Sequence, residues 1–368
     1  MTNRYTNVVD NEQSNSRTKR TTISFPCSEG FSDPVNEAFG VANDALHFGT
    51  ITGTLYEEKY NFRALPYAPR LVVHYGSCYD NAFWDGTDMY FGDGCRTFYP
   101  LVSQDVVTHE LGHGITSRNS DLIYSGQSGG INEAFSDMSG EVAEIFGRGN
   151  NDWKVGFELF KGNRPLRYFI RPPDDGVSIM HVRDYTSRMD VHFSSGVFNH
   201  AFYQLVAIQN MPIYDAYECF VSANRLIWSQ NTNFEAGACG VMQACHDLGF
   251  SHTKVAAAFD VVGIDLGSCD YSALSTAVSQ GQARDNIRAS ATRNPIMKLQ
   301  KNRSPLIVEA NALDESDVHI DVCTDAGCEQ VITSGSNRLS VSSTSGGTLY
   351  ARLSSTSTDE VKINLSVS

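Results

Sequence analysis

The chain has 368 residues, of which 41% are hydrophobic and 19% are charged, so it can fill two or three domain cores and is not disordered throughout. Its 42 acidic and 28 basic residues leave a net charge of −14, which argues against binding a nucleic-acid backbone. No apolar run approaches the length of a membrane span, about 18 residues, and residues 1–20 lack the apolar stretch of a signal peptide.

Hydrophobic periodicity predicts both helices and strands in the first three quarters of the chain. The predicted helices cover 33–60, 102–117, 132–146, 195–209, 214–230, 234–248 and the segment between Ser251 and Gly263. Strands are predicted at 70–75 and 88–91. A glycine-rich connection at 125–130 separates two of the helices, and 153–190, with three prolines, is predicted to be a long ordered loop.

The end of the chain has a different pattern. Beyond about residue 290 Ser and Thr become frequent, and in 361–367 apolar residues alternate with polar ones. This alternation is typical of a half-buried antiparallel strand. We therefore predict an N-terminal α/β lobe at 1–117, a mainly helical lobe at 118–290 and a small all-β extension at 291–368.

The nine cysteines form no C-x-x-C pair and no zinc-finger group. Cys78 and Cys95 flank a turn segment, and Cys323 and Cys328 bracket a short turn. These spacings favour disulfides and an extracellular setting. The alternative is a cytosolic protein with scattered buried thiols. The odd count leaves at least one thiol unpaired or a partner outside this chain.

The sharpest motif is His109-Glu110-Leu111-Gly112-His113. Positions i and i+4 share one face of a helix, so His109 and His113 can bind one Zn²⁺ with Glu110 beside it. A chain of this composition would contain the motif by chance about 0.01 times. Two structural histidines on a helix are the weaker alternative.

A catalytic zinc needs a third protein ligand. Glu133 is predicted in the first turn of the next helix and can complete a site of two histidines and one glutamate. Asp137, one turn later, can accept the free ring N–H of a ligand histidine. An acidic residue at a helix start is otherwise explained by the helix dipole. Its conjunction with the first motif favours the metal site.

These motifs resemble those of the thermolysin-like zinc endopeptidases, most closely the pseudolysin and vibriolysin branch. The residues that carry the likeness are NAFWDG (81–86), FGDG (91–94), FYPLVSQDVVTHELGHGIT (98–116), LIYSGQSGGINEAFSDMSGE (122–141), PLRY (165–168), DVHFSSGVFNHAFY (190–203), ANRLIW (223–228) and GACGV (237–241). The likeness covers about 24–269. It implies an α+β fold with a β-rich N-terminal lobe, a helical C-terminal lobe and a zinc site in the cleft, to which the C-terminal β domain is added.

The resemblance implies a role for each matching residue of the catalytic site. The zinc ligands would be His109, His113 and Glu133. Glu110 would be the general base that takes a proton from water and passes it to the leaving amine. Tyr124 and His192 would stabilise the oxyanion, and Asp190 would keep His192 protonated. Without the family context, Asp190 and His192 could be an exposed charged pair on a strand.

The resemblance also implies how a peptide is bound. Asn81 and Ala82 match a strand edge that pairs with an extended peptide, and Arg167 matches the side chain that holds a substrate carbonyl. Packing alone would explain an isolated NAFW motif. The pocket for the residue after the cut would be lined by Leu101, Val106 and Leu166. A preference for bulky apolar residues follows.

A second, acidic cluster is implied to bind Ca²⁺. Its residues would be Asp105, Glu141, Glu144, Asp152 and the carbonyl of Lys154. Carboxylates this crowded repel one another unless a hard cation joins them. Without the resemblance, a solvated acidic helix face would be the preferred interpretation.

Cys239 and Cys269 match a disulfide of this branch. Cys27 matches a half-cystine whose partner would lie upstream, where this chain has no cysteine. The family's N-terminal β region is also longer, so the resemblance implies a truncated start without signal peptide or propeptide. The pairings of Cys219 and Cys245 stay open.

The sequence thus predicts a secreted, monomeric, zinc- and calcium-dependent neutral endopeptidase that cleaves proteins and peptides on the amino side of bulky hydrophobic residues. It predicts no nucleic-acid partner. One alternative is an inactive protein that uses this fold for binding, which the presence of Glu110, Tyr124 and His192 disfavours. Another is a zinc peptidase restricted to chain ends.

Overall fold

The computed structural model describes residues 2–18, 20–23, 40–162, 164–269 and a series of strands between 278 and 367. The chain divides into two compact units. The first comprises Met1–Gly237 and Ala258–Ile264, and the second comprises Ala238–Ala257 and Asp265–Ser368. The beginning of the first predicted helix, 33–39, lies outside the described residues.

The first unit contains a five-stranded sheet with the order β2-β1-β3-β5-β4. Its strands are β1 (Asn7–Asp10), β2 (Thr21–Thr22), β3 (Arg70–Val73), β4 (Ala82–Trp84) and β5 (Met89–Phe91). The parallel strands β1, β3 and β5 form its centre, and β4 pairs antiparallel with β5 and forms one edge. Val72, Tyr75 and Tyr90 form a buried cluster on the sheet. Among the described strands, β4 has a neighbour on one side, and its other edge borders the cleft described below.

Helices make up most of the rest of this unit. They are α1 (Val41–Tyr60), α2 (Gln104–Arg118), α3 (Gly126–Arg148), α4 (Val191–Ser194), α5 (Gly196–Tyr203), α6 (Ile213–Leu226), α7 (Phe234–Asp247) and α8 (His252–Val261), of which α7 and α8 extend into the second unit. The predicted helix 195–209 is interrupted, because α5 passes into a π-helical turn at Gln204–Ile208. The predicted loop 153–190 contains a two-stranded sheet of β6 (Lys154–Val155) and β7 (Arg167–Tyr168).

The prediction of a glycine-rich connection at 125–130 is wrong, because α3 already begins at Gly126. The glycines serve close packing instead. A Cβ at Gly129 would lie 2.4 Å from Val191 Cγ1, and one at Gly130 would lie 2.5 Å from Ser194 Oγ. Helix α4 therefore rests directly on the first turns of α3. Glu133 consequently lies in the second turn of α3 rather than in the first.

Helices α2 and α3 also approach each other closely. A Cβ at Gly112 would lie 2.8 Å from Ser136 Cα, and one at Gly140 would lie 3.0 Å from Asp105 O. A larger residue at either position would push the backbones apart. This close approach brings Glu133 on α3 opposite the histidine-bearing face of α2.

The second unit contains two sheets. Its strands are β8 (Val278–Ser279), β9 (Gln282–Ala289), β10 (Ile296–Gln300), β11 (Leu306–Ala312), β12 (Val318–Cys323), β13 (Val331–Ser336), β14 (Arg338–Val341), β15 (Leu349–Ser355) and β16 (Val361–Val367). The sheet orders are β13-β12-β15-β10-β8 and β14-β11-β16-β9. Strand β16 coincides with the alternating segment 361–367. The strands of this unit begin at Val278, earlier than the change in composition near residue 290 predicts.

The predicted disulfides Cys78–Cys95 and Cys239–Cys269 are present. Cys323 is also disulfide-bonded, whereas Cys27 and Cys328 lie outside the described residues. The thiols at 219 and 245 are buried. None of the helices in the described part of the chain is long and apolar enough to cross a membrane.

Candidate metal centre and active-site cleft

Two histidines of α2 and one glutamate of α3 converge. The Nε2 atoms of His109 and His113 lie 3.0 Å apart. Glu133 Oε2 lies 3.5 Å from His109 Nε2, and Glu133 Oε1 lies 3.4 Å from His113 Nε2. Glu133 Oε2 is buried without a hydrogen-bond partner. Two imidazole nitrogens and a carboxylate around one point form a donor set that fits a zinc ion.

The other ring nitrogen of each histidine faces an acceptor. His109 Nδ1 lies 2.8 Å from Asp137 Oδ1, although the two are not aligned as a hydrogen bond. His113 Nδ1 lies 2.8 Å from Asn132 Oδ1 and 3.2 Å from Ser136 Oγ. An oxygen acceptor at Nδ1 fixes the proton there and leaves the Nε2 lone pair facing the metal position. Sequence reasoning expected Asp137 near a ligand histidine and missed Asn132. Because Asn132 directly precedes the expected ligand Glu133, its position in the sequence could have indicated a role beside the metal position.

Asp137 is held by other side chains as well. Arg167 donates to its two carboxylate oxygens at 2.8 and 2.6 Å, and Asn199 Nδ2 donates at 2.8 Å. Burial opposes ionisation, but the Arg167 guanidinium and His109 keep the pKa of Asp137 well below its usual value. Arg167 lines the cleft, where a substrate contact was expected, and it also anchors this buried carboxylate.

Glu110 is buried and lines the same cleft. Burial raises its pKa above the usual value, although the charges of His109 and His113 oppose the rise. A carboxylate in this environment is a stronger proton acceptor than an exposed one. The chemistry of the side chain therefore suits proton transfer beside the metal position.

Tyr124, His192 and Asp190 form a chain beside Glu133. The Tyr124 hydroxyl donates to Glu133 Oε1 and lies 3.3 Å from His192 Nε2. His192 Nδ1 lies 2.7 Å from Asp190 Oδ1, and Asp190 also caps α4 by accepting the His192 backbone N–H at 3.0 Å. The pair thus lies at a helix start, not on a strand. Burial and the Glu133 charge raise the pKa of Tyr124, so its hydroxyl stays a donor.

These groups open into a cleft of about 890 Å³. All the residues expected to contact substrate line it: Asn81, Ala82, Leu101, Val106, Leu166 and Arg167. Asn81 directly precedes the edge strand β4, and Phe98 and Val155 extend the apolar wall. The cleft therefore combines an open strand edge, an apolar pocket and the candidate metal centre.

A second cluster lies at the end of α3. Carboxylate oxygens of Glu141, Glu144 and Asp152 lie within 4.8 Å of one another. Glu141 Oε1 and Glu144 Oε2 are buried without hydrogen-bond partners, which fits a hard cation. Burial and like-charged neighbours raise the pKa of Glu141 well above its usual value and that of Glu144 to about 8.

Asp105 and Lys154, which are also expected at this cluster, already form hydrogen bonds: Asp105 with groups beside the cluster and Lys154 with Asp152 of the cluster itself. Asp105 accepts the N–H groups of Gly156 at 2.6 Å and Val106 at 2.9 Å, together with the Ser103 hydroxyl. The backbone N–H of Lys154 donates to Asp152 at 3.0 Å. Asp105 therefore supports the loop beside the cluster in this arrangement.

Comparisons with known proteins agree with this geometry. A family model described as "Thermolysin metallopeptidase, catalytic domain" matches residues 1–117, and one described as "Thermolysin metallopeptidase, alpha-helical domain" matches 120–264. A solved structure of the precursor of protealysin, a metalloproteinase from Serratia proteamaculans, superposes with a TM-score of 0.62 at 26% identity. That likeness covers 70% of this chain and 86% of that chain.

Two curated relatives from Vibrio are similar to this chain. The "Neutral protease" of Vibrio proteolyticus is 45% identical over 253 residues, which are 68% of this chain and 41% of the relative. The "Hemagglutinin/proteinase" of Vibrio cholerae is 48% identical over 235 residues, or 64% of this chain and 38% of the relative. The chain thus spans about two fifths of their length. The resemblance predicted from the motifs is confirmed, and the chain belongs to the thermolysin family of metallopeptidases, in its vibriolysin branch.

Proposed function

We propose that this protein is a zinc-dependent endopeptidase that hydrolyses internal peptide bonds on the amino side of bulky apolar residues. The observation that carries the proposal is the convergence of His109, His113 and Glu133 beside Glu110, in a cleft bordered by a strand edge. The names of the relatives, which are proteases, support the same class of reaction.

The proposed metal ligands are His109, His113 and Glu133. A zinc ion bound there would polarise the scissile carbonyl and lower the pKa of a bound water to about 7. Glu110 takes a proton from the attacking water and delivers it to the leaving amine. Asp137 and Asn132 hold the two imidazoles in the tautomer that presents Nε2 to the metal.

Tyr124 and His192 are the proposed donors to the oxyanion, and Tyr124 would take this role by exchanging its bond to Glu133 Oε1 for one to the oxyanion. Both lie beside Glu133, and the Tyr124 hydroxyl is 3.3 Å from His192 Nε2. The two groups can therefore donate hydrogen bonds to the same oxygen atom of the substrate. Asp190 orients His192 through its Nδ1, which lies 2.7 Å from Asp190 Oδ1. Donors aimed at developing charge are typically worth about 3 kcal/mol each.

The substrate is proposed to bind as an extended chain along β4. Strand β4 is the edge of its sheet, so its outer side can form main-chain hydrogen bonds with a peptide. Asn81 and Ala82 begin this edge, and Arg167 is placed at the cleft for a substrate carbonyl. The side chain after the cut enters the apolar pocket lined by Leu101, Val106 and Leu166.

Calcium is proposed to bind at Glu141, Glu144 and Asp152, with the Lys154 carbonyl and Asp105 completing the site. The orphaned oxygens of Glu141 and Glu144 support this assignment. Asp105 would join only by exchanging the Gly156 N–H for the ion. The role of the ion is structural, since it ties α3 to the segment that follows.

The remaining proposals concern the whole protein. The disulfides support secretion into an oxidising compartment. We propose a monomer with an N-terminal lobe at 1–117, a mainly helical lobe from residue 118 and a small β domain that is not needed for the chemistry. This β domain, expected at 291–368, includes β8 and β9 and so begins near residue 278.

The test is cleavage of a long internally quenched peptide blocked at both ends, with and without 1,10-phenanthroline. We expect hydrolysis that the chelator abolishes and added zinc restores. Hydrolysis only of peptides with a free end would indicate a chain-end peptidase. Peptide binding without hydrolysis would indicate a binding module.

A further inference from the structure

The carboxylate of Asp80 accepts an unusual number of hydrogen bonds from one short segment. The backbone N–H of Cys95 donates at 2.6 Å, and those of Arg96, Thr97 and Phe98 each donate at 3.2 Å. Partial burial opposes ionisation, but these N–H groups hold the pKa of Asp80 below its usual value. A single side chain therefore fixes four consecutive peptide groups.

The two segments that Asp80 joins are the two walls of the cleft. On its own side, Asp80 directly precedes Asn81 and the edge strand β4. On the other side, the segment that it holds leads to Phe98 and Leu101, which line the apolar pocket. The distance between the strand edge and the pocket therefore depends on this carboxylate, together with the backbone bonds from Leu101 N–H to Gly92 O at 3.0 Å and from Gly92 N–H to Asn81 O at 3.1 Å.

Other contacts restrain the ends of the segment. The Cys78–Cys95 disulfide fixes its beginning, and the Gly94 N–H donates to Tyr79 O at 3.1 Å. At its end, the Phe98 ring packs on Phe160 with centroids 5.1 Å apart. Lys161 holds two carbonyls of the segment, since its Nζ donates to Cys95 O at 2.7 Å and its backbone N–H donates to Thr97 O at 3.0 Å. The four N–H groups of residues 95–98 are held by Asp80.

We propose that Asp80 is a positioning residue that sets selectivity for the side chain after the cut. By fixing residues 95–98 against β4, it holds Phe98 and Leu101 at the depth that a bulky apolar side chain fills. The inference rests on the proposed endopeptidase function and adds a determinant that touches neither substrate nor metal.

The experiment compares Asp80→Ala and Asp80→Asn with the control Asp85→Asn in the full chain. Asp85 caps a turn at the other end of β4 by accepting the N–H groups of Thr87 at 3.0 Å and Asp88 at 2.9 Å. It shares the capping role of Asp80, but it holds no segment that leads to the pocket.

Two blocked, quenched peptides that differ only in Leu or Ala after the cut are measured with each variant. For Asp80→Ala we expect kcat/KM on the Leu peptide to fall about tenfold, chiefly through KM, because charge-assisted bonds are lost. The Leu-to-Ala preference falls with it, while bound zinc is unchanged. Asp80→Asn keeps one acceptor oxygen and gives a smaller change. Asp85→Asn keeps the wild-type preference.

Hydrogen exchange supplies a readout independent of activity. Amide exchange at residues 95–98 should rise about tenfold or more in Asp80→Ala, with the Cys78–Cys95 disulfide intact. Unchanged exchange, or faster exchange with an unchanged Leu-to-Ala preference, overturns the inference. If Asp80→Ala does not fold, the same criteria apply to Asp80→Asn. Failure of the wild-type protein to cleave either peptide would instead overturn the proposed function.

Discussion

Removing calcium should make the stability of this protein depend strongly on pH. The cause is the cluster of Glu141, Glu144 and Asp152, which crowds carboxylates into a largely buried site. Burial first, and the neighbouring acidic groups second, raise the Glu144 pKa from 4.5 to about 8. Glu141 shifts in the same direction. The Arg148 guanidinium, 2.5 Å from Glu144, offsets only part of this effect.

The sign follows from proton linkage. A carboxyl whose pKa is higher in the folded state binds protons on folding, so its stabilising contribution is present below pH 4.5 and is lost as the pH rises through 8. One pKa unit corresponds to about 1.4 kcal/mol, so Glu144 alone should cost the calcium-free protein roughly 4 kcal/mol at pH 8. At roughly 2 °C per kcal/mol, this lowers Tm by about 8 °C.

The assay is thermal unfolding between pH 5 and pH 8 at saturating zinc, with calcium absent or in excess. The Glu110→Ala background prevents self-digestion during heating. We expect Tm to fall with pH only without calcium, because calcium pairs with the ionised carboxylates. Glu144→Gln, which cannot ionise, should reduce both the fall of Tm with pH and the stabilisation by calcium, and Glu141 should account for the remainder. A calcium-free Tm that is flat or rises over this range would refute the reasoning. So would a loss of initial rate on calcium removal without a change in stability.

Three further predictions concern residues in and around the candidate metal centre. Glu110→Ala should retain zinc by metal analysis yet lose peptide hydrolysis, since Glu110 is not a proposed ligand; zinc lost together with activity would contradict its role. His192→Ala and Tyr124→Phe should each lower kcat more than they raise KM, by about 100-fold, because the donors act on the transition state; steady-state kinetics showing an effect confined to KM would assign them to substrate binding. Asn132→Ala should weaken zinc binding about 10-fold, because it leaves Ser136 Oγ, at 3.2 Å, as the remaining partner of His113 Nδ1, and competition with a chromophoric chelator measures this; unchanged affinity would show that Asn132 does not orient the ligand.

The sequence was most informative where the chemistry is local. His109 and His113 share a helix face because of the i, i+4 spacing, and this holds whatever surrounds the helix. The bonds between Arg167 and Asp137 and between Asp80 and residues 95–98 join distant parts of the chain, so no local pattern announces them.

The wrong prediction at 125–130 has a clear physical reason. The glycines suggest a connection between two helices, but tertiary packing against α4 makes residues 126–130 helical. The immediate neighbours of these residues suggest one role, and a contact from elsewhere in the fold decides another. The bond from the Gly156 N–H to Asp105 is likewise a contact from a distant part of the chain that no local pattern announces.

Gly129 and Gly130, which pack against α4, also set the distance between α3 and α4. Helix α4 carries His192, and α3 carries Glu133. The distance between the two helices therefore sets the distance from the His192 imidazole to the metal position. One added methyl group at Gly129 would lift α4 by up to the length of a C–C bond, about 1.5 Å. The Tyr124–His192 separation of 3.3 Å could not survive such a displacement. The geometry of the catalytic groups therefore depends on the missing side chains of Gly129 and Gly130, two residues that take no part in the chemistry.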